Sequence, residues 1–285
     1  MDAAITVEII VNFVGAGIMV PFDIFLVYHL LIRHKLIFNI YFITMTIYSI
    51  NGTLYMFFSA VLDVQAIYFM RRSYEFYQYF IPLLSVVMSF NRFTAIVIWP
   101  WHQKIWKYKF FIIYGIAISA FSFFFMLVNH ADLLQIRADP AYTLYFRLFD
   151  RVFKGSAYIV SLIFEMTAVI YRKVSKKTLE IDKVDITLLT QSVITTTCWL
   201  INCICNLIWF LYSVIGVIHV SNCFVVFGFV LPLAYLFSSN RKLRMLLLHF
   251  YFRGEYFKNN AVGTMVHISV QSTKTPVRIA SIQIT

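Results

Sequence analysis

Charged residues are scarce in this chain of 285 residues, and their scarcity excludes an ordinary water-soluble globule. Asp, Glu, Lys and Arg make up 13% of the chain, whereas a soluble domain carries about 25%. Hydrophobic residues make up 61%. Apolar side chains this abundant need lipid as a second solvent, so the composition indicates a membrane protein.

Cysteine, glycine and proline are also few, and each shortage excludes a class of protein. The four cysteines lie inside apolar segments at Cys198, Cys203, Cys205 and Cys223. The Cys-x-Cys pair does not have zinc-ligand spacing, so neither a structural disulfide nor a metal site is expected. The 9 glycines and 6 prolines argue against a loop-rich or disordered chain. No cleavable signal peptide is evident, and the first apolar run is expected to direct insertion.

Long apolar runs are what the chain has instead, and seven of them are long enough to cross a bilayer. A backbone in lipid must satisfy its own hydrogen bonds, and the alternation typical of a barrel is missing, so the runs are predicted to be helices. The fold class predicted is an all-α membrane protein, a seven-transmembrane helix bundle over residues 1–239. The predicted spans are Ile5–Ile32, Leu36–Leu62, Phe76–Trp99, Tyr108–Val128, Val152–Tyr171, Thr187–Tyr212 and Ile215–Ser238.

The basic residues lie between the runs, and their distribution predicts the orientation. Eighteen of the 24 Lys and Arg residues fall at one set of connections, at the adjoining end of the third run (Arg92) and in the tail, against six at the opposite set. Cytoplasmic loops carry the excess of positive charge, so the N-terminus is predicted outside. The net charge of +11 is thereby explained by topology and by contact with membrane lipid headgroups, and nucleic acid is not expected as a partner.

Two segments outside the spans carry predictions of their own. Residues 240–253 are expected to form an interfacial amphipathic helix on the inner leaflet, and 254–285 a disordered cytoplasmic tail. The second outer connection, Asn129 to Arg151, is predicted to be a loop, either a lid over an outward-facing cavity or a simple solvated loop. Pro140 within it is expected to interrupt any helix.

Three pairs of residues on different spans suggest a conformational switch. They are Asn91-Arg92 at the inner end of the third span, Cys198-Trp199 on the sixth, and Pro232 with Tyr235 on the seventh. Each resembles part of a rhodopsin-like receptor motif, although Asn replaces the usual acid before the arginine. Tyr235 is predicted to reach toward Arg92. The alternative for Arg92 is a snorkelling anchor at the membrane boundary.

A ligand cavity is predicted from helix facing at the outer end. Trp199, Asn202 and Asn206 share one face of the sixth span. Amides facing lipid would be unfavourable, so this face is expected to point into the bundle, as interhelical hydrogen bonds or as the wall of a cavity. Asp23 and Glu165 are expected to have structural roles in the bundle. The candidate ligand contacts are Tyr74, Gln78, Tyr79, Asn202, Asn206 and Ser221.

The segment from Phe90 to Pro100, with Trp106 beyond it, carries a resemblance to a known family. Its sequence is FNRFTAIVIWP. It is similar to the third-span signature of nematode serpentine chemoreceptors of the gamma-type superfamily, of the V or gamma class. The resemblance implies a G-protein-coupled receptor for environmental chemicals, in the plasma membrane and cilia of sensory neurons. It also implies a small-molecule ligand and a heterotrimeric G protein as partners.

Other classes of membrane protein fit the sequence less well. The seven histidines are scattered, and no set of residues suited to an intramembrane enzyme is present. No lysine lies on the seventh span to bind retinal, and no cofactor is expected. A transporter would show repeated halves or a charged path at the midplane. A seven-span ligand-gated channel or a transporter of unknown substrate remains the alternative function.

Overall fold

The computed structural model describes residues 3–34, 37–64, 68–131, 140–175 and 183–252. Within these ranges the chain forms nine helices and no strand, so the all-α class is confirmed. The helices are α1 (Ala3–Leu31), α2 (Ile40–Val64), α3 (Tyr68–Val97), α4 (Trp99–Ile105), α5 (Tyr108–Ala131), α6 (Pro140–Ser175), α7 (Lys183–Tyr212), α8 (Ile215–Ser239) and α9 (Arg241–Tyr251).

Six of these helices are long and apolar enough to cross a membrane: α1, α3, α5, α6, α7 and α8. They correspond to six of the seven predicted spans and are compatible with a multi-pass integral membrane protein. The second predicted span is the helix α2, which is 25 residues long. Its apolar character is diluted by polar side chains, among them Thr44, Ser49, Asn51 and Thr53.

Six helices pack in a ring in which α1 contacts α2, α2 contacts α3, α3 contacts α6, α6 contacts α7, α7 contacts α8, and α8 returns to α1. The helix α5 packs against α3, and little of its apolar stretch is buried in the protein. Two aromatic contacts show the direction of α2 relative to α3: near the start of α2 Tyr41 lies against Arg92, whereas farther along it Tyr55 stacks on Tyr74. The helix α2 therefore runs antiparallel to α3 along most of its length.

The bundle consequently has two distinct ends. At one end lie the first residues of α1, α3, α6 and α8 with the last residues of α2 and α7; it is called the Glu8 end. The opposite end, called the Arg92 end, holds the last turns of α3 and the short helix α4. These definitions rest on helix direction alone.

The predicted loop between the fourth and fifth spans is largely helical where the structure describes it. The helix α5 continues to Ala131, and α6 begins at Pro140 and runs on to Ser175. The expectation that Pro140 interrupts a helix is therefore wrong. Proline is well suited to the first position of a helix, because its fixed φ matches the helix and its missing N–H has no partner there. Residues 132–139 lie outside the described residues.

A helix is present where the amphipathic helix after the last span was predicted. The helix α9 places apolar side chains at Leu243, Leu246, Leu247 and Phe250, which share one face at this spacing. From Lys242 onward the chain forms a unit separate from the bundle. The predicted tail, 254–285, lies outside the described residues.

Gly52 marks a close approach between α2 and α8, and its replacement is expected to destabilise the bundle. A Cβ atom on Gly52 would lie 2.5 Å from Cε1 of Phe229, a fully buried side chain. Overpacking of this kind costs about 1–3 kcal/mol. Gly52→Ala should therefore lower the melting temperature in detergent micelles. Gly115→Ala on α5 is the control, because nothing lies within 4 Å of its Cβ position; equal melting temperatures for both variants would contradict the prediction.

Candidate functional site

A cavity of about 440 Å³ lies at the Glu8 end, between α1, α2, α3, α6, α7 and α8. Its size is in the range of small-molecule sites. Its aromatic residues are Tyr55, Tyr74, Tyr77, Tyr158, Trp199 and Trp209. Its amides are Gln78, Asn202, Asn206 and Asn222, and its charged residues are Glu8, Asp150, Arg151 and Lys154.

Two stacked aromatic pairs form walls of this cavity. The rings of Tyr55 and Tyr74 lie 4.7 Å apart, and the hydroxyl of Tyr55 donates to that of Tyr74 over 3.0 Å. The rings of Tyr158 and Trp199 are almost parallel, 5.4 Å apart with 5° between their planes. Stacked rings are held by dispersion and by one another, so these walls are largely preformed.

The two predicted asparagines on α7 serve both of the roles considered for them. Nδ2 of Asn202 donates to the backbone carbonyl of Ser221 over 2.9 Å, which ties α7 to α8. Nδ2 of Asn206 donates to the carbonyl of Asn202 over 3.0 Å and to Oγ of Ser221 over 2.7 Å. Both side chains also line the cavity. The two side chains therefore make interhelical hydrogen bonds and also form part of the cavity wall.

The cavity is also lined by charged residues of α6, which were not predicted from the sequence. Nζ of Lys154 lies 2.9 Å from Asp150 and donates to Oε1 of Gln78 over 3.0 Å. The guanidinium of Arg151 lies over the ring of Phe210, 4.2 Å from its centroid. The spacing of positions 150, 151 and 154 could have indicated them, because residues three and four apart are neighbours on a helix once α6 is extended back from its predicted start.

Four of the six predicted ligand contacts line the cavity: Tyr74, Gln78, Asn202 and Asn206. Tyr79 was predicted to contact the ligand, and this is corrected here: its ring is buried against Phe125 and Phe153. Ser221 is corrected as well, since it is fully buried behind the asparagines that it holds. Both act as supports of the lining.

Arg92 is buried at the opposite end, 4% exposed, and makes an aromatic contact. Its guanidinium carbon lies 3.2 Å from the ring centroid of Tyr41 on α2, a cation–π arrangement. The hydroxyl of Tyr41 donates to Oε1 of Gln191 on α7 over 3.0 Å. Burial argues against the snorkelling alternative. The inner arginine site, defined as Arg92, Tyr41 and Gln191 and named for its position inside the bundle, thus links α3, α2 and α7.

The other predicted switch residues are placed around the two ends. Asn91 and Pro232 are buried, and Cys198 is buried beside Gly228 of α8. Tyr235 is half-buried on α8. The expected approach of Tyr235 to Arg92 stays a prediction, and the ring that lies over the guanidinium is that of Tyr41 on α2.

The tryptophan of the third-span signature folds back onto α3. The indole N–H of Trp106 donates to Oγ1 of Thr94 over 2.7 Å, and its ring packs against Phe90 and Tyr114. The short helix α4 makes this return possible, with Pro100 in its first turn. The signature therefore describes a compact corner that fixes the chain directly after Arg92.

Three tyrosines at seven-residue intervals on α2 join the two ends, and the sequence reading missed them. They are Tyr41, Tyr48 and Tyr55, referred to as the tyrosine ladder. Seven residues are close to two helical turns, so the three share one face over about 21 Å. Tyr48 accepts a hydrogen bond of 2.6 Å from the indole N–H of Trp199, between the cavity wall and the inner arginine site. The heptad spacing was visible in the sequence.

Two buried acids clamp neighbouring helices, in keeping with the structural roles expected for them. Oε1 of Glu165 on α6 accepts hydrogen bonds from Ser89 of α3 over 2.6 Å and from Thr196 of α7 over 2.9 Å, and a further one from Ser192. On α1, Asp23 accepts from Ser49 and Thr53 of α2. Glu165 therefore holds three helices at one point.

Comparison with known proteins adds no relative to this description. No protein-family model matches the chain, and no curated protein matches it either. Among the described residues, no group of three or more His, Cys, Asp or Glu side chains could hold a metal ion. Function must accordingly be argued from the cavity, the tyrosine ladder and the inner arginine site.

Proposed function

We propose that this chain is a seven-transmembrane G-protein-coupled chemosensory receptor. An environmental small molecule binds from outside in the cavity at the Glu8 end, and a heterotrimeric G protein binds at the Arg92 end. The resemblance of the third-span segment to nematode chemoreceptors supports placing it in the plasma membrane of a sensory neuron, at the cilium. Membrane lipid surrounds the bundle.

Helix direction and charge support seven spans with the N-terminus outside. The helix α2 reaches from the level of Arg92 to the level of Tyr74, and its 25 residues correspond to about 37 Å. A helix of that length, packed between two spanning neighbours, matches the depth of the bilayer. At the Glu8 end, Arg72 pairs with Glu75 and Lys154 with Asp150, so positive charge is partly neutralised there.

The observation that carries the proposal is the connection between the cavity and the buried arginine. Trp199 forms part of the cavity wall and donates to Tyr48, and the same helix carries Tyr41 over Arg92. A ligand that displaces Trp199 therefore acts on α2, and a shift of α2 acts on the inner arginine site. This is the two-site coupling that a receptor requires.

In the proposed mechanism, ligand binding favours a state in which Tyr41 no longer covers Arg92. The inner faces of α3, α6 and α7 then open to the G protein. A ligand can shift this equilibrium only by its difference in affinity for the two states, which for allosteric pairs is typically about 1–3 kcal/mol. The contacts that the ligand makes with Trp199 and Tyr55 supply this difference in affinity, because both rings move with the tyrosine ladder.

The proposal is tested by a ligand screen in cells that express the chain with a promiscuous G protein and a second-messenger reporter. We expect at least one small molecule to give a saturable response. Arg92→Ala should abolish this response at equal surface expression. In the proposed mechanism the guanidinium becomes exposed after ligand binding and is the group that contacts the G protein. A ligand-gated current without a G protein would instead favour a channel, and an intact response from Arg92→Ala would contradict the mechanism.

A further inference from the structure

Hydrogen-bond polarity on one wall of the cavity identifies the class of ligand, an inference that rests on the proposed function. Asn202 and Asn206 of α7 and Asn222 of α8 line this wall, which is called the asparagine wall. A side-chain amide offers a donor and an acceptor, and a cavity made of amides is usually ambivalent. Here the orientation of each amide is fixed by its protein partner.

Backbone carbonyls fix the two amides on α7. Nδ2 of Asn202 faces the carbonyl of Ser221 at 2.9 Å, and Nδ2 of Asn206 faces the carbonyl of Asn202 at 3.0 Å. A carbonyl oxygen can only accept, so neither amide can be turned round without loss of its hydrogen bond. The group left for the cavity is Oδ1 in both residues.

The third amide is fixed by a carboxylate in the same way. Nδ2 of Asn222 donates to Oε1 of Glu8 on α1, and a carboxylate also accepts only. All three residues of the asparagine wall therefore present carbonyl oxygens, and Asn222 keeps one amide N–H beside them. A ligand seated against this wall must bring its own N–H or O–H groups, or it leaves the oxygens unsatisfied.

Several donor groups around the cavity are engaged by the protein. Nζ of Lys154 is held by Asp150 and Gln78, and Nη1 of Arg151 donates to the carbonyl of Arg147 over 3.0 Å. The indole N–H of Trp199 is used by Tyr48. The donors that remain, on Arg151 and on the amide of Gln78, belong to α6 and α3 and not to the asparagine wall.

Among the described residues, the charges that line the cavity sum to zero. Lys154 pairs with Asp150, and Glu8 lies 3.4 Å from the ring of His219. With Arg151 these residues contribute two carboxylates and two basic groups. A charged ligand would bring an uncompensated charge into a site of low dielectric, which is costly. The balance therefore favours an uncharged ligand.

We propose that the ligand is an uncharged, flat aromatic or heteroaromatic molecule whose N–H or O–H donors face the asparagine wall. Its ring lies between the Tyr55–Tyr74 pair and the Tyr158–Trp199 pair, both of which line the cavity. The volume of about 440 Å³ admits a molecule of one or two fused rings with a short substituent.

The test is direct binding of matched probes to the purified chain in lipid nanodiscs, measured by saturation-transfer NMR titration. Indole is compared with 1-methylindole, which lacks the N–H donor. Indole-3-acetamide is compared with indole-3-acetate and tryptamine, which share its ring and carry opposite charges. We expect indole and the amide to bind roughly tenfold more tightly than their partners, the effect of one satisfied hydrogen bond or one uncompensated charge.

Variants assign this preference to the asparagine wall. Asn206→Leu should remove the preference for indole over 1-methylindole, whereas Cys205→Ala on the same helix should retain it. Thermal unfolding of each variant shows that the protein is folded. If 1-methylindole bound at least as tightly as indole, or if indole-3-acetate or tryptamine bound at least as tightly as indole-3-acetamide, the proposed ligand class would be overturned. The cavity would still stand as a binding site. Failure of all five probes to bind would overturn the aromatic class.

Filling the cavity separates failure of the ligand class from failure of the proposed function. Cys203 lines the cavity, and Cys203→Trp should abolish binding of every probe. Binding that survives this change places the probes elsewhere and removes the cavity from both proposals. Binding with the expected preference, but with no second-messenger response in cells, would leave the ligand class standing and overturn the receptor function.

Discussion

Replacement of Tyr41 by alanine is expected to raise ligand-independent G-protein activation by roughly 5- to 30-fold. The ring of Tyr41 lies 3.2 Å from the guanidinium carbon of Arg92, and a desolvated cation–π contact is worth about 1–2 kcal/mol. If this contact holds the resting state, its loss shifts the equilibrium toward the state in which Arg92 is exposed. The measurement is basal nucleotide exchange in membranes with matched receptor content.

A conservative change at the same position is the control for this result. Tyr41→Phe keeps the ring over Arg92 and removes the hydroxyl, with its hydrogen bond to Gln191, so basal exchange should rise much less. Tyr108→Ala, an exposed tyrosine near the same end, should leave it unchanged. Basal exchange in Tyr41→Ala equal to that of the unmodified chain would show that Tyr41 does not hold Arg92 in the resting state.

Replacement of Glu165 by alanine is expected to cause the largest loss of stability of any change considered. Oε1 of Glu165 accepts hydrogen bonds from Ser89, Ser192 and Thr196, and the side chain is fully buried. Hydroxyl groups left without a partner cost about 1–3 kcal/mol each. Several kcal/mol would be lost where α3, α6 and α7 meet. The yield of folded protein and the melting temperature in detergent measure the effect.

Glutamine distinguishes the acceptor from the charge at this position. Glu165→Gln keeps an oxygen at the place of Oε1 and has nearly the same volume, so most of the stability should return. If the alanine variant melted at the same temperature as the glutamine variant, the clamp would contribute little. If glutamine were as damaging as alanine, negative charge at Glu165 would be the stabilising property.

Hydropathy predicted the helices well because lipid imposes one constraint on each span separately. The ends of the helices were harder, as Pro140 shows. A proline at the first position and a proline in the interior look alike when the start of a helix is unknown. Because residues 140–151 were assigned to a loop, Asp150 and Arg151 were not considered as cavity residues, and Lys154, just inside the predicted span, was left without these neighbours.

The cavity residues were predicted only as far as helix facing allows. Gln78 and Tyr79 are adjacent in sequence, and neighbours on a helix point about 100° apart. Gln78 lines the cavity and Tyr79 faces α5 and α6, a choice that the rotation of α3 decides. The contact of Arg92 with Tyr41 likewise could not be predicted from the sequence, because it depends on which helix packs against the last turns of α3.

The tyrosine ladder makes the length of α2 between its two ends a functional quantity. Insertion of a single residue between Tyr41 and Tyr48 would turn one end by about 100° relative to the other, and each half would still be a sound helix. Under the proposed function, such a protein would still bind its small molecule and its G protein, yet the two events would be disconnected. Hybrids that test this proposal must therefore join their halves without altering the count of residues from Tyr41 to Tyr55.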